Sequence, residues 1–332
     1  MERINYMNAL IFALNATLPI VITVALGYFI KRIGIMKSDT AGIINNIVFR
    51  VLLPANLFLN IYNIDDIGKI NLNYVWYAIG ITIGLFLLFW PVVNVAFKTR
   101  SQRGVILQSI FRSNYALIGI PLATSLFGAE GAAVASLLAA FIVPIFNVLG
   151  VICLSIYSDD KKASLKNILL GIAKNPLIIG VLAGVFALCM RSLFARLNIG
   201  FTLKEIPPIF NVLTYLSNAS TPMALLALGA QFEFSAIPSL KKQIIFGISL
   251  RSALIPTVTL SIAYFIGAFD GAQFAAFVAM FATPVAVSTV PMCQAMGSDH
   301  KLAGQLVVWT TVISAVVIFL ASLILKTLGV FG

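Results

Sequence analysis

Apolar residues run along this chain in blocks of about twenty, a helix's requirement for crossing a bilayer core, and short polar stretches punctuate them. The blocks predict ten spans, at roughly 9–30, 41–62, 72–97, 106–127, 131–157, 168–190, 206–231, 243–268, 274–296 and 302–325. No segment between them, including the polar stretch around 159–174, is long enough for a soluble domain. The expected fold is therefore a single all-α membrane protein. It has a first five-helix repeat at 1–157, a short cytoplasmic linker at 158–167 and a second repeat at 168–332.

Composition narrows the class. Of 332 residues 60% are hydrophobic and only 10% charged, where a soluble domain carries about 25% charged residues. The mean hydropathy of +1.02 leaves too little polar surface to cover a water-soluble globule. The net charge of +11 comes from Lys and Arg placed singly or in pairs, with no dense basic block, so nucleic acid is not an expected partner. The loops after odd-numbered spans hold thirteen Lys and Arg against six on the other side. By the positive-inside rule both termini lie outside the cytoplasm, in a multi-pass protein of the cell membrane, with lipid as its surrounding partner. The first apolar block is longer than a signal-peptide core and ends in Lys31-Arg32, so it reads as a retained span. Cys153, Cys189 and Cys293 sit in apolar stretches without ligand spacing, and His300 is the one histidine. No disulfide framework, metal site, cofactor or Ser/His or Cys/His chemistry is expected, and the chain does not read as an enzyme.

The two halves echo each other. Pro19 and Gly27 in span 1 match Pro176 and Gly184 in span 6, each pair eight residues apart, and Pro54 in span 2 matches Pro222 in span 7. Spans 4 and 9 are the most interrupted, by Gly119-Ile120-Pro121 and by Pro284 and Pro291. Five is odd, so a repeated five-span unit enters the membrane in opposite orientations, the inverted-repeat plan of secondary transporters. Interrupted helices are tolerated at membrane depth only where protein or a water-filled cavity covers them. Polar residues gather at both breaks: Ser113, Asn114 and Thr124 in span 4, and Thr283, Ser288, Thr289 and Gln294 in span 9. Two readings stand: a substrate site between opposed half-helices, or packed proline kinks whose hydroxyls bond their own backbone. Gly80 with Gly84, and Gly180 with Gly184, have the GxxxG spacing of close-packed helices or protomers.

All eleven acids lie at or beyond span ends, which argues against a carboxylate proton relay and an intramembrane aspartyl protease. Arg50, Arg112 and Arg251 lie within spans, ~13 Å from a cytoplasmic end at 1.5 Å per residue. A bound anion could neutralise them, or they snorkel to headgroups. Crossing an inside-negative membrane is worth ~2.3 kcal/mol per charge per 100 mV, enough to drive an uncoupled anion outward about 50-fold.

The run Asn114-Tyr115-Ala116-Leu117-Ile118-Gly119-Ile120-Pro121-Leu122 resembles the Asn-x4-Gly-Ile-Pro-Leu segment of the auxin efflux carrier family of permeases. Leu18-Pro19 with Gly27-Tyr28, Leu53-Pro54, Asn175-Pro176, Arg251 and Pro284 are similar to other family segments, and the resemblance covers nearly the whole chain. It implies a fold similar to the bile-acid sodium symporters, in which helices 4 and 9 cross at their breaks and substrate binds there. It also implies a scaffold of helices 1, 2, 6 and 7 that commonly dimerises, giving a possible homodimer, while the remaining helices slide past it in an elevator motion. Carried over, Asn114 contacts substrate, Leu53 and Pro54 face it, and Pro121 and Pro284 form the crossing. Arg251, Ser288 and Thr289 complete the expected substrate residues, with Gly119, Pro121, Pro284 and Pro291 as the helix breaks. Plant members carry a long loop between helices 5 and 6; here it is short, which favours a bacterial-type permease for a small organic anion such as malate or malonate. The alternatives are a sodium- or proton-coupled symporter on the same fold and a membrane receptor without transport.

Overall fold

The structure is a computed structural model and describes residues 6–63, 72–157 and 173–331. The predicted linker at 158–167, the start of the second repeat, Lys69, Asp65, Asp66 and the basic residues Arg3, Lys161, Lys162 and Lys166 lie outside the described residues. Among the described residues the secondary structure is helical, with a single isolated β-bridge. In order the helices are α1 (Tyr6–Arg32), α2 (Ser38–Ile47), α3 (Leu53–Tyr62), α4 (Asn73–Ala96), α5 (Arg100–Phe111) and α6 (Ile120–Tyr157). Then come α7 (Pro176–Arg196), α8 (Pro207–Gln231), α9 (Ile237–Ser249), α10 (Ile255–Ile266), α11 (Gly271–Phe281), α12 (Thr289–Ala295) and α13 (His300–Thr327). Among the described residues six stretches are long and apolar enough to cross a membrane: Asp39–Tyr62, Asn73–Ala96, Leu117–Tyr157, Pro176–Arg196, Phe234–Ile266 and His300–Thr327. Their outward faces carry large apolar side chains such as Trp76, Leu88, Val95, Phe186 and Phe265, a covering suited to lipid.

Three helices widen by one π turn, and all three do so for the same reason. The turns at Val48–Leu52, Tyr115–Gly119 and Leu250–Leu254 each end two residues before a proline, Pro54, Pro121 and Pro256. A proline inside a helix lacks an N–H and its ring collides with the carbonyl four residues back. Widening the turn moves that carbonyl away and passes the bonding to i−5: Leu53 N–H reaches the Val48 carbonyl and Ile255 N–H the Leu250 carbonyl. None of these turns is written in the hydrophobic pattern.

The Leu117–Tyr157 stretch is 41 residues long, roughly 60 Å if straight at 1.5 Å per residue. It folds back instead. Phe127 leaves helical geometry and Gly128 takes φ 60°, a left-handed conformation that glycine adopts without strain. The Tyr115 hydroxyl then donates to the Ala135 carbonyl at 3.0 Å, although twenty residues of straight helix would separate them by about 30 Å. The predicted boundary between spans 4 and 5 falls at this turn.

Two helix pairs approach backbone to backbone. A Cβ on Gly27 of α1 would lie 2.2 Å from the Leu226 carbonyl oxygen of α8, and one on Gly229 of α8 would lie 2.0 Å from the Val24 oxygen of α1. Likewise α7 meets α3, where a Cβ on Gly180 would sit 2.7 Å from the Pro54 oxygen and one on Gly184 3.0 Å from the Phe58 oxygen. Gly80 and Gly84 meet nothing within 4 Å, so the two GxxxG motifs differ in use. Gly180→Ala is expected to lower stability by about 1–3 kcal/mol, the range for overpacking, while Gly80→Ala leaves it unchanged. Thermal unfolding in detergent would measure the contrast, and equal melting temperatures for the two variants would refute it.

Helices α6, α10 and α13 and the Tyr115–Gly119 turn pack around α11, whose residues Phe274 to Phe281 are all buried. A helix apolar on every side belongs in the middle of a bundle. Tyr77 of α4 packs its ring on Phe269, Phe277 and Phe281, and its hydroxyl donates to the Thr259 carbonyl of α10.

Candidate functional site

The helix α5 stops at Phe111, and Arg112 takes an extended conformation, φ −96°, ψ 113°. Across from it α11 stops at Phe281, and the chain stays irregular until Ser288. These two breaks cross. Ser113 and Val285 form an antiparallel β-bridge, Asn114 N–H donates to the Pro284 carbonyl at 2.8 Å, and Val285 N–H donates to Thr310 Oγ1 at 3.1 Å. Backbone groups released where the two helices stop thus find partners in the other break and in the Thr310 side chain. The first break lies at Arg112–Asn114, several residues ahead of the expected Gly119-Ile120-Pro121. Gly119 belongs to the π turn and makes room for the Tyr115 ring, 2.5 Å from where its Cβ would be. Pro121 follows that π turn, which takes up its missing N–H as at Pro54 and Pro256, so the helix runs on through it. Pro284 lies in the second break as expected, but Pro291 is the third residue of α12 and interrupts nothing.

Beside the crossing is a cleft of about 150 Å³. Arg112, Ser113, Asn114 and Ser288 line it from the crossing, Asn147 from α6, Leu53, Asn56 and Asn60 from α3, and Ser220 and Thr221 from α8. Arg112 is 3% exposed. Its guanidinium donates to Asn147 Oδ1 and Ser288 Oγ, both at 2.8 Å, and contacts the Met292 sulfur at 2.7 Å. No carboxylate is among these contacts, so the positive charge is held by neutral dipoles alone. Asn147 is itself anchored by its Nδ2, which donates to the Val143 carbonyl at 2.8 Å. Asn114 Nδ2 and Ser113 Oγ are buried and find no hydrogen-bond partner among the described residues. A buried polar atom without a partner is destabilising by about 1–3 kcal/mol, and here two such atoms border one cleft with a cation. The arrangement can receive a small anion, with the guanidinium and the Asn114 amide donating to its oxygens.

Of the predicted substrate residues, Asn114, Leu53 and Ser288 border the cleft, and Pro54, Arg251 and Thr289 do not. Pro54 is pressed against Gly180, and Thr289 is buried within α12 with its hydroxyl unpartnered. Arg251 is 1% exposed and turns away to backbone carbonyls. Its Nε donates to Thr283 at 3.0 Å, Nη1 to Ile110 at 3.2 Å, and Nη2 to Met280 at 2.8 Å and Thr283 at 2.7 Å. Arg50 is exposed. The three arginines of the predicted spans therefore have three different situations, and Arg112 is the one at the cleft. Asn56, Asn60 and Asn147 were not singled out by the sequence. Asn56 and Asn60, four apart on one helix face, and Asn147, a lone amide in an apolar stretch, were the signals.

A second cavity of about 600 Å³ shares Asn56, Leu117 and Thr221 with the cleft and extends between Pro121 of α6 and Pro19 and Ile20 of α1.

Residues 12–322 match the family described as Membrane transport protein. Among similar proteins, an uncharacterized transporter of Methanocaldococcus jannaschii is 28% identical over 320 residues, covering 92% of this chain and 97% of its own. An uncharacterized transporter of Methanothermobacter thermautotrophicus is 22% identical over 314 residues, covering 94% and 98%. A match over nearly the whole chain, on a multi-pass bundle of apolar helices, identifies this protein as a member of the membrane transport protein family, the auxin efflux carrier family that its Asn114–Leu122 segment resembles.

Proposed function

We propose that this protein is a permease for a small organic anion, a carboxylate of malate or malonate size, bound in the cleft beside the helix crossing. The carrying observation is Arg112: a buried cation on the cleft wall whose partners are an amide, a hydroxyl and a thioether. A buried charge is ordinarily paired, and a carboxylate would supply the missing partner while also accepting from Asn114 Nδ2. Transport proceeds by alternating access in an elevator motion. The crossing and its helices carry the anion, and α1, α2, α3, α7 and α8 form the scaffold, which pairs with a second copy in a homodimer. Ten spans in two inverted five-helix repeats underlie this. The exchange of partners between halves supports them, α1 packing on α8 and α7 on α3, as does the antiparallel crossing of Ser113 and Val285. Both termini lie outside the cytoplasm of a cell-membrane protein, and the membrane potential drives the anion outward without a coupled ion.

The test is counterflow in proteoliposomes. Labelled mono- and dicarboxylates are expected to exchange saturably, and to keep exchanging when sodium is replaced by potassium and the pH gradient is collapsed. Exchange of neutral solutes alone would exclude an anion site. A fixed sodium or proton stoichiometry would replace the uncoupled reading by a symporter, and binding with no flux would make the protein a receptor.

A further inference from the structure

The crossing divides the bundle into two ends that are not alike. At one end α12 packs against α2 and the end of α8. There Asn45 Nδ2 donates to Gln231 Oε1 at 2.9 Å and Gln294 Oε1 at 2.7 Å, Gln231 Nε2 donates to Gln294 Oε1 at 3.2 Å, and Gln294 Nε2 donates to the Gly42 carbonyl at 3.3 Å. Away from that end, a cavity separates the half-helix that follows the first break from parts of α1 and α8. Leu117 and Pro121 face Ile20, Ser217 and Pro222 across the 600 Å³ cavity.

We propose that Asn45, Gln231 and Gln294 form a polar latch that holds one end of the site shut, and that its strength sets how often that end opens. The proposal rests on the permease reading, in which α12 moves with the crossing while α2 and α8 stay. Asn45 and Gln231 then belong to the fixed side and Gln294 to the moving side, so three of the four bonds must break whenever the end opens. Gly42 is the position that admits the Gln294 amide, since a Cβ there would lie 3.0 Å from its Nε2. The latch is also built to release. Asn45 is fully buried and its Oδ1 has no partner, a penalty that disappears once water enters the opened end. Closed, the latch gains its bonds; open, it regains hydration, and the two states stay close enough in free energy to exchange.

Spin labels at Thr40→Cys and Ala295→Cys, both exposed and on opposite sides of the seam, would read the opening by pulsed electron resonance. The exposed Cys189 is replaced by Ser, while Cys153 and Cys293 are buried and stay. Gln294→Leu removes the moving side's polar group at similar size, and the ratio of long to short distances is expected to rise roughly tenfold, as for loss of one ordinary hydrogen bond. Gln231→Leu, which removes outer bonds and keeps the Asn45–Gln294 contact, should shift it in the same direction by less. Asn45→Leu combined with Gln294→Leu should fall short of the sum of the single effects, since both act through one contact. Unchanged distance distributions in a folded Gln294→Leu or Gln231→Leu protein would overturn the latch. The labels need no substrate, so absent carboxylate counterflow with an intact shift would sink the anion reading alone, and intact counterflow without a shift would sink the latch alone.

Discussion

Replacing Arg112 by Gln is expected to raise the half-saturation concentration for carboxylate counterflow by about a hundredfold, the loss of one to two charge-assisted hydrogen bonds, while the protein still folds. Gln fills much of the same space and can keep a bond to Ser288 or Asn147, so the main change at the cleft is removal of the positive charge. Arg112→Lys keeps the charge and loses the planar fork that reaches Asn147, Ser288 and Met292 at once. Its affinity should fall between wild type and Arg112→Gln, and a graded order Arg, Lys, Gln separates charge recognition from mere packing. A folded Arg112→Gln protein with wild-type carboxylate affinity would remove the cleft's cation from the account.

The hydrophobic blocks place the helices well because lipid imposes one rule on all of them: backbone groups must bond within the segment. Hence α4 and α8 begin and end within a residue of the spans read from apolar runs, while α7, opened by Pro176, ends at Arg196, beyond the expected 190. The breaks were legible as regions and misplaced in register. Gly119 and Pro121 were read as the interruption, yet a proline whose missing N–H is taken up by a π turn need not break its helix. The true break begins at Arg112, after a helix that starts at Arg100, ahead of the expected 106. What stops α5 there is the competing backbone pairing with Pro284 and Val285, a contact between residues about 170 apart that no local pattern announces.

The site was legible to the same depth. Asn114 and Ser288 were singled out as polar residues at a break and Leu53 through the family resemblance, and all three border the cleft. The choice among three arginines depended on where each guanidinium points, which follows from helix rotation about the crossing. Sequence position puts Arg50, Arg112 and Arg251 at similar depth, and only the packing separates an exposed side chain, a cleft wall and a buried clamp.

For that clamp the expected result is loss of the fold, with no selective loss of affinity. Arg251 gathers the carbonyls of Ile110 at the end of α5 and of Met280 and Thr283 at and just beyond the end of α11. The last four carbonyls of a helix have no partner within it and carry the negative end of its dipole. Two such ends converge at mid-bundle where the chain breaks, and one buried guanidinium satisfies both, which explains how a cation resides there without a carboxylate. Arg251→Gln would leave carbonyls unsatisfied and the two helix ends facing each other uncompensated. Removing one partner from a buried charged arrangement is destabilising by about 3–5 kcal/mol, a large share of the total for most proteins. Arg251→Gln should therefore accumulate poorly and melt well below Arg112→Gln in the same detergent. Arg251→Lys, which keeps the charge but reaches fewer carbonyls, should melt between that variant and wild type. An Arg251→Gln protein with wild-type melting and weakened carboxylate binding would return this residue to the substrate path and put the clamp aside.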